Sequence, residues 1–194
     1  MPTNDASVSW DDAREMVEKN RDAWNALAVA FAEDPQSMSV RNVALLYLGF
    51  AFTEHYAGSM EKFMAAGDGP ATRDGLVRRL ETRPVSLNTL FDLLQLCARE
   101  GDDALGRNVA HRIGALLKAI MATGSGRTPE SPLRVLSVDD EYHLIRAVFA
   151  KARLVGQRLV GLCDEMTLQL PDAPQPVRLY FDVSMSMQAM MRLS

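Results

Sequence analysis

At 194 residues, with 47% apolar and 24% charged side chains, the chain has enough material for one core, or one domain with a small terminal appendage. That composition excludes a disordered body. The longest apolar run, residues 43–52, reaches only about half of a bilayer span. The net charge of −4 is unevenly spread: 11 acidic against 5 basic residues over 1–68, 10 against 14 over 69–160, and 4 against 2 over 161–194. Arginine dominates the basic middle, and its planar fork suits phosphate or carboxylate.

The first predicted helix opens at Ser9, where Asp12 completes a capping-box pattern, and runs to about residue 32. Ala13, Met16, Val17, Trp24, Leu27, Ala28 and Phe31 form its stripe, and Asp34-Pro35 ends it. Ser39 caps the next helix, apolar all round over 43–52 and therefore the most buried; it continues through Tyr56, Met60, Phe63 and Met64 to a break at 67–70. A short helix over 72–82 points Leu76, Val77 and Leu80 inward and stops at Pro84. Ser86 caps another, with Leu87, Leu90, Phe91, Leu94 and Cys97 on one side, and Gly101 closes it. Asp102 and Asp103 begin a helix reaching about residue 122.

Residues 123–136 read as a loop, a hinge or an internal linker, from their Gly, Pro and Ser/Thr content. Ser137 and Asp140 repeat the capping-box signal, and a long helix is expected over 138–165, with Tyr142, Ile145, Val148, Phe149, Val155, Leu159, Leu162 and Cys163 apolar. Prolines within 171–176 forbid helix. Residues 176–183 read as a strand, 166–170 as a hairpin partner for it, and the methionines beyond as a last helix.

Chemistry is sparse. His55, His111 and His143, with Glu54 or Glu141 as a candidate fourth ligand, fall on different helices without a ligand spacing, so no metal is expected. Cys97 and Cys163 sit in apolar runs as free thiols, and Asp11/Asp12, Asp102/Asp103 and Asp139/Asp140 lie at helix starts, where the helix dipole accounts for them. No nucleophile elbow or phosphate-binding loop is present, and neither catalytic residues nor a cofactor are expected.

Two clusters remain. Arg73, Arg78, Arg79, Arg83, Arg107, Arg112 and Lys118 are candidate contacts to a nucleic-acid backbone, or a solvated face bridged to the acidic N-terminal helix. Val177, Leu179, Phe181, Met185, Met187, Met190 and Met191 form a Met-rich tail suited to docking on a protein partner or a second copy.

The sequence thus predicts a mainly all-α fold, a helical bundle of about six helices over 1–165, with a short C-terminal β strand or hairpin in an interaction tail at 166–194. The function expected is that of a non-enzymatic subunit or adaptor binding a partner protein through that tail. The alternatives are a nucleic-acid-binding subunit of a nucleoprotein complex using the arginines, and a small-molecule-binding helical protein with Tyr47, Phe50, Phe52, Tyr56 and Met60 around its ligand. The polar start carries no signal peptide, so a bacterial-type cytoplasmic location without membrane association is expected.

Overall fold

The computed structural model describes residues 7–56 and 72–193. The chain divides into two compact units, Met1–Ala119 and Ile120–Ser194. The predicted helical continuation through Met60, Phe63 and Met64, and the break at 67–70, lie outside the described residues.

The first unit is helical, and local signals place its boundaries. Helix α1 (Trp10–Lys19) starts with the predicted capping box: Ser9 accepts from the Asp12 amide, and Asp12 accepts from the Ser9 amide at 2.9 Å. The single helix expected over the first 32 residues is two. Asn20, at φ −133°, interrupts it before α2 (Arg21–Glu33), in keeping with the weak helix preference of asparagine. Ser39 caps α3 (Val40–Gly49), which passes into a 3-10 turn (Phe50–Phe52); Val43, Ala44, Leu46, Tyr47, Leu48 and Phe50 are all buried, as an apolar surface all round requires.

Thr72 caps α4 (Arg73–Thr82), which buries Leu76 and Leu80 but leaves Val77 40% exposed, against the inward position expected for it. Ser86 caps α5 (Leu87–Glu100), and Gly101 ends it in the left-handed region at φ 72°, where a Cβ would be strained. Asp102 accepts from the Leu105 amide at 3.0 Å and so opens α6 (Asp103–Ala122), within which the two units divide.

The second unit overturns the predicted fold class. It holds a four-stranded mixed sheet, and the chain is an α/β fold, not a mainly-α bundle with one hairpin. The predicted helix over 138–165 ends early, as α7 (Val138–Val148), with Ser137 capping it as expected. The rest of that stretch is the hairpin of β2 (Arg153–Val160) and β3 (Cys163–Gln169), turning at Gly161 with φ 63°.

The misreading has a physical source. Val155 and Leu159 are four residues apart, which imitates a helical stripe, while Gly156, Gly161 and the β-branched Val155 and Val160 favour a hairpin. Consequently Val155, Leu159 and Leu162, expected as apolar residues of a long helix, lie on and beside a hairpin strand and are exposed by 47, 55 and 57%.

Strand β4 (Val177–Asp182) lies where the sequence placed it, antiparallel to β3. Its other edge pairs in parallel with β1 (Leu133–Arg134), inside the segment predicted as loop. That segment is fastened to the sheet: the Arg134 amide donates to Thr123 Oγ1 at 2.8 Å, and the Tyr180 amide donates to the Gly126 carbonyl at 2.9 Å. The sheet order is β1-β4-β3-β2, and helix α8 (Ser184–Leu193) follows β4.

One face of the sheet buries Leu133, Met166, Leu168, Leu179 and Phe181. Helix α7 meets that face, for Tyr142 donates to Gln157 Oε1 at 2.9 Å, and Gln157 donates to Asp164 at 2.9 Å.

Candidate functional site

Among the described residues strand β2 forms one outer edge of the sheet and has a strand neighbour on one side only, so one row of its backbone amides and carbonyls is unpaired by strand neighbours. Leu154, at 37% exposure, Val155 and Leu159 lie on it, and Leu162 lies in the turn to β3. The Val183 amide donates to the Leu162 carbonyl at 3.0 Å, which brings that turn beside the start of α8.

A β-bulge between Leu154 and Gly156 decides which way the β2 side chains point. Arg153 pairs with Gln169 and Arg158 with Glu165, positions four apart on β3 and therefore on the same face. Leu154 pairs with Leu168 and Leu159 with Asp164, on the opposite face. Without the extra residue at Val155, Arg153 and Arg158 would face opposite ways. The edge thus carries its basic side chains on one face and its leucines on the other.

Beneath that edge, Arg158, Glu165 and Tyr180 form one cross-strand row. Both guanidinium N–H contacts from Arg158 to Glu165 measure 2.9 Å, Tyr180 donates its hydroxyl at 2.7 Å, and Arg178 lies 3.9 Å away. The hydrogen bonds from Arg158 and Tyr180 hold the Glu165 carboxyl down to about 2.

Glu141, on α7, has the opposite surroundings. It is wholly buried, and among the described residues neither of its oxygens has a hydrogen-bond partner. Burial, with Asp164 and Asp140 nearby, pushes its carboxyl up to about 9, so it carries a proton at neutral pH. The sequence offers Glu141 only as a fourth metal ligand beside the histidines, a role no cluster among the described residues supports, and it does not single out Glu165. Asp139 and Asp140 read as a helix-start signal, and nothing in spacing alone distinguishes Glu141 from its exposed counterparts.

The predicted tail residues divide. Val177, Leu179 and Phe181 belong to β4, which has strands on both sides; Leu179 and Phe181 are core and Val177 is half-buried. Met185 and Met187 are half-buried on α8, while Met190 and Met191 are exposed by 44 and 67%.

The arginine cluster is also divided. Arg73 is ion-paired with Asp102, with Glu100 at 3.6 Å. Arg112 is buried, donates to the Pro84 carbonyl at 3.1 Å and lies over the Phe31 ring, its guanidinium lowered to about 10 by burial. Arg78, Arg107 and Lys118 are exposed, and Arg79 and Arg83 half-buried. The carboxylates of α1 find near neighbours, Asp11 with Arg14 and Glu15 with Lys19.

For a small ligand, Tyr47, Phe50 and Tyr56 are core, Phe50 and Tyr56 edge-to-face at 6.0 Å; Phe52 packs on Trp10, and Met60 lies outside the described residues. A groove of about 250 Å³ elsewhere is bordered by Leu94, Cys97, Asp102, Gly106 and Arg107.

Both cysteines are free, and burial raises both thiols above their ordinary value, which disfavours the reactive thiolate. Among the described residues no group of three or more His, Cys, Asp or Glu is arranged to hold a metal ion, and no helix is long and apolar enough to cross a membrane.

Comparison with curated proteins and with solved structures finds no match. The family model described as a domain of unknown function, DUF4919, matches residues 18–192. With nearly its whole length covered by that match, the chain belongs to the DUF4919 family.

Proposed function

We propose that this chain works by binding a partner protein, as a non-enzymatic subunit or adaptor of a larger assembly, and that it docks through the outer edge of β2. The observation that carries this reading is the run of Leu154, Val155, Leu159 and Leu162, exposed by 37, 47, 55 and 57% on and beside a strand with one strand neighbour among the described residues. Such an edge offers a partner both apolar area and a row of backbone hydrogen-bonding groups. Met190 and Met191 on α8 add adaptable apolar surface in the same unit. The surface proposed for docking therefore moves from the tail strand, β4, to the strand at the rim.

Affinity purification from the source cells tests the reading, using the tagged full chain and a Leu159→Asp/Leu162→Asp variant. Both positions are exposed, so circular dichroism should match that of the parent, with melting lowered only by the like charge set opposite Asp164. Proteins recovered with the parent should be lost with the variant. Recovery of the same set from both would overturn the proposal.

A further inference from the structure

We infer that the occupant of the β2 edge is an extended segment of a partner protein in which apolar residues alternate with carboxylates, added as a fifth strand. The inference rests on the reading of that edge as a docking surface. Three observations select the occupant.

The first is charge. Residues 150–163 contain Lys151, Arg153 and Arg158 and no Asp or Glu. Arg158 is committed to Glu165, whereas among the described residues no carboxylate lies in ion-pair range of Lys151 or Arg153. A second copy of this chain would lay the same basic strand alongside, and like charges facing each other oppose association. A carboxylate-bearing segment meets the same groups with favourable charge.

The second is the bulge. It puts Arg153 and Arg158 on one face and Leu154 and Leu159 on the other. A strand pairing with β2 presents its own side chains to the two faces in alternation. Its matching sequence is therefore apolar at every second position and acidic between.

The third is length. Strand β2 has eight residues, enough for a ladder of ordinary length, and the exposed leucines span it from Leu154 to Leu159.

The test uses the full chain and fluorescein-labelled peptides of about ten residues, to match a strand of this size. One alternates valine and glutamate, a second alternates valine and lysine, and a third is the Val-Glu peptide with alternate backbone amides methylated. Fluorescence anisotropy should show the Val-Glu peptide binding at least about ten-fold more tightly than either control, and losing affinity as salt rises. Arg153→Glu should move the preference toward the Val-Lys peptide, and Leu159→Asp should weaken the Val-Glu peptide.

Equal binding of the methylated peptide would reduce the contact to charge attraction and overturn the added strand. Equal binding of the Val-Lys peptide would overturn the acidic occupant. Light scattering on the free chain covers the remaining occupant: a dimer abolished by Leu159→Asp would assign the edge to a second copy and overturn the inference. Should the peptides fail while Leu159→Asp/Leu162→Asp still loses its recovered proteins, the docking surface stands and its acidic occupant falls. Should both fail, both fall.

Discussion

Glu141 and Glu165 belong to the same unit, and both are shielded from water, at 0 and 4% exposure, yet their surroundings act on them in opposite directions. Glu165 sits in a cross-strand row that supplies Arg158 and the Tyr180 hydroxyl, and its charge is held. Glu141 sits where α7 meets the other face, near Asp140 and Asp164, and keeps its proton. Burial alone therefore does not set the state of a carboxyl; the donors delivered by neighbouring strands do.

The largest effect is expected at Glu141. Its carboxyl rises from an ordinary 4.5 to about 9, so the folded chain retains a proton that the unfolded chain releases. Its stabilising effect is complete below about pH 4.5 and is lost as pH rises toward about 9. Glu141→Gln keeps the shape without the titration, and should raise unfolding free energy at pH 7 by roughly 2–3 kcal/mol. Urea unfolding across pH 5–9 checks this; an unchanged slope in the variant would show that Glu141 ionises without cost.

Next comes Glu165, with the sign reversed. Its carboxyl falls from 4.5 to about 2, so its contribution is present above about pH 4.5 and is lost as pH drops toward 2. Glu165→Gln should lower the melting temperature at pH 7 and flatten the acid side of the stability profile. Parent-like melting from pH 7 down to pH 3 would break the contrast between the two glutamates.

Tyr180→Phe isolates one donor of that row. Removing a hydroxyl that bonds a buried carboxylate should cost about 1–2 kcal/mol, measured by denaturant unfolding. Arg178→Ala should be the mildest, with a change under about 0.5 kcal/mol, because the pair is long at 3.9 Å and the arginine is 61% exposed. A larger loss there would mean that Arg178 shares the anchoring of Glu165 with Arg158.

What the sequence revealed follows the range of the interactions involved. Ser9 with Asp12, and Ser137 with Asp140, act over three residues, and each starts a helix where expected. The β2–β3 hairpin depends on pairings such as Arg153 with Gln169, and β1 on Leu133 meeting Phe181, which no local window displays. The Glu165–Tyr180 contact joins residues fifteen positions apart on different strands. Of the surface proposed for docking, the sequence shows Leu159 and Leu162 only as apolar residues of an expected long helix. Their exposure follows from the hairpin that replaces the helix.

The strand order has a consequence for synthesis on the ribosome. Strand β4 is the last strand made, yet it lies between β1 and β3. While the chain is being extended, β2 and β3 can close their hairpin, but β1 has no strand to pair with until residues 181–182 emerge. The helical unit, ending at Ala119, is complete in sequence long before that moment. Assembly of the sheet is thus timed by its final strand, and a nascent chain that has emerged from the ribosome only as far as residues 170–176 leaves β1 and the inner edge of β3 open to mispairing.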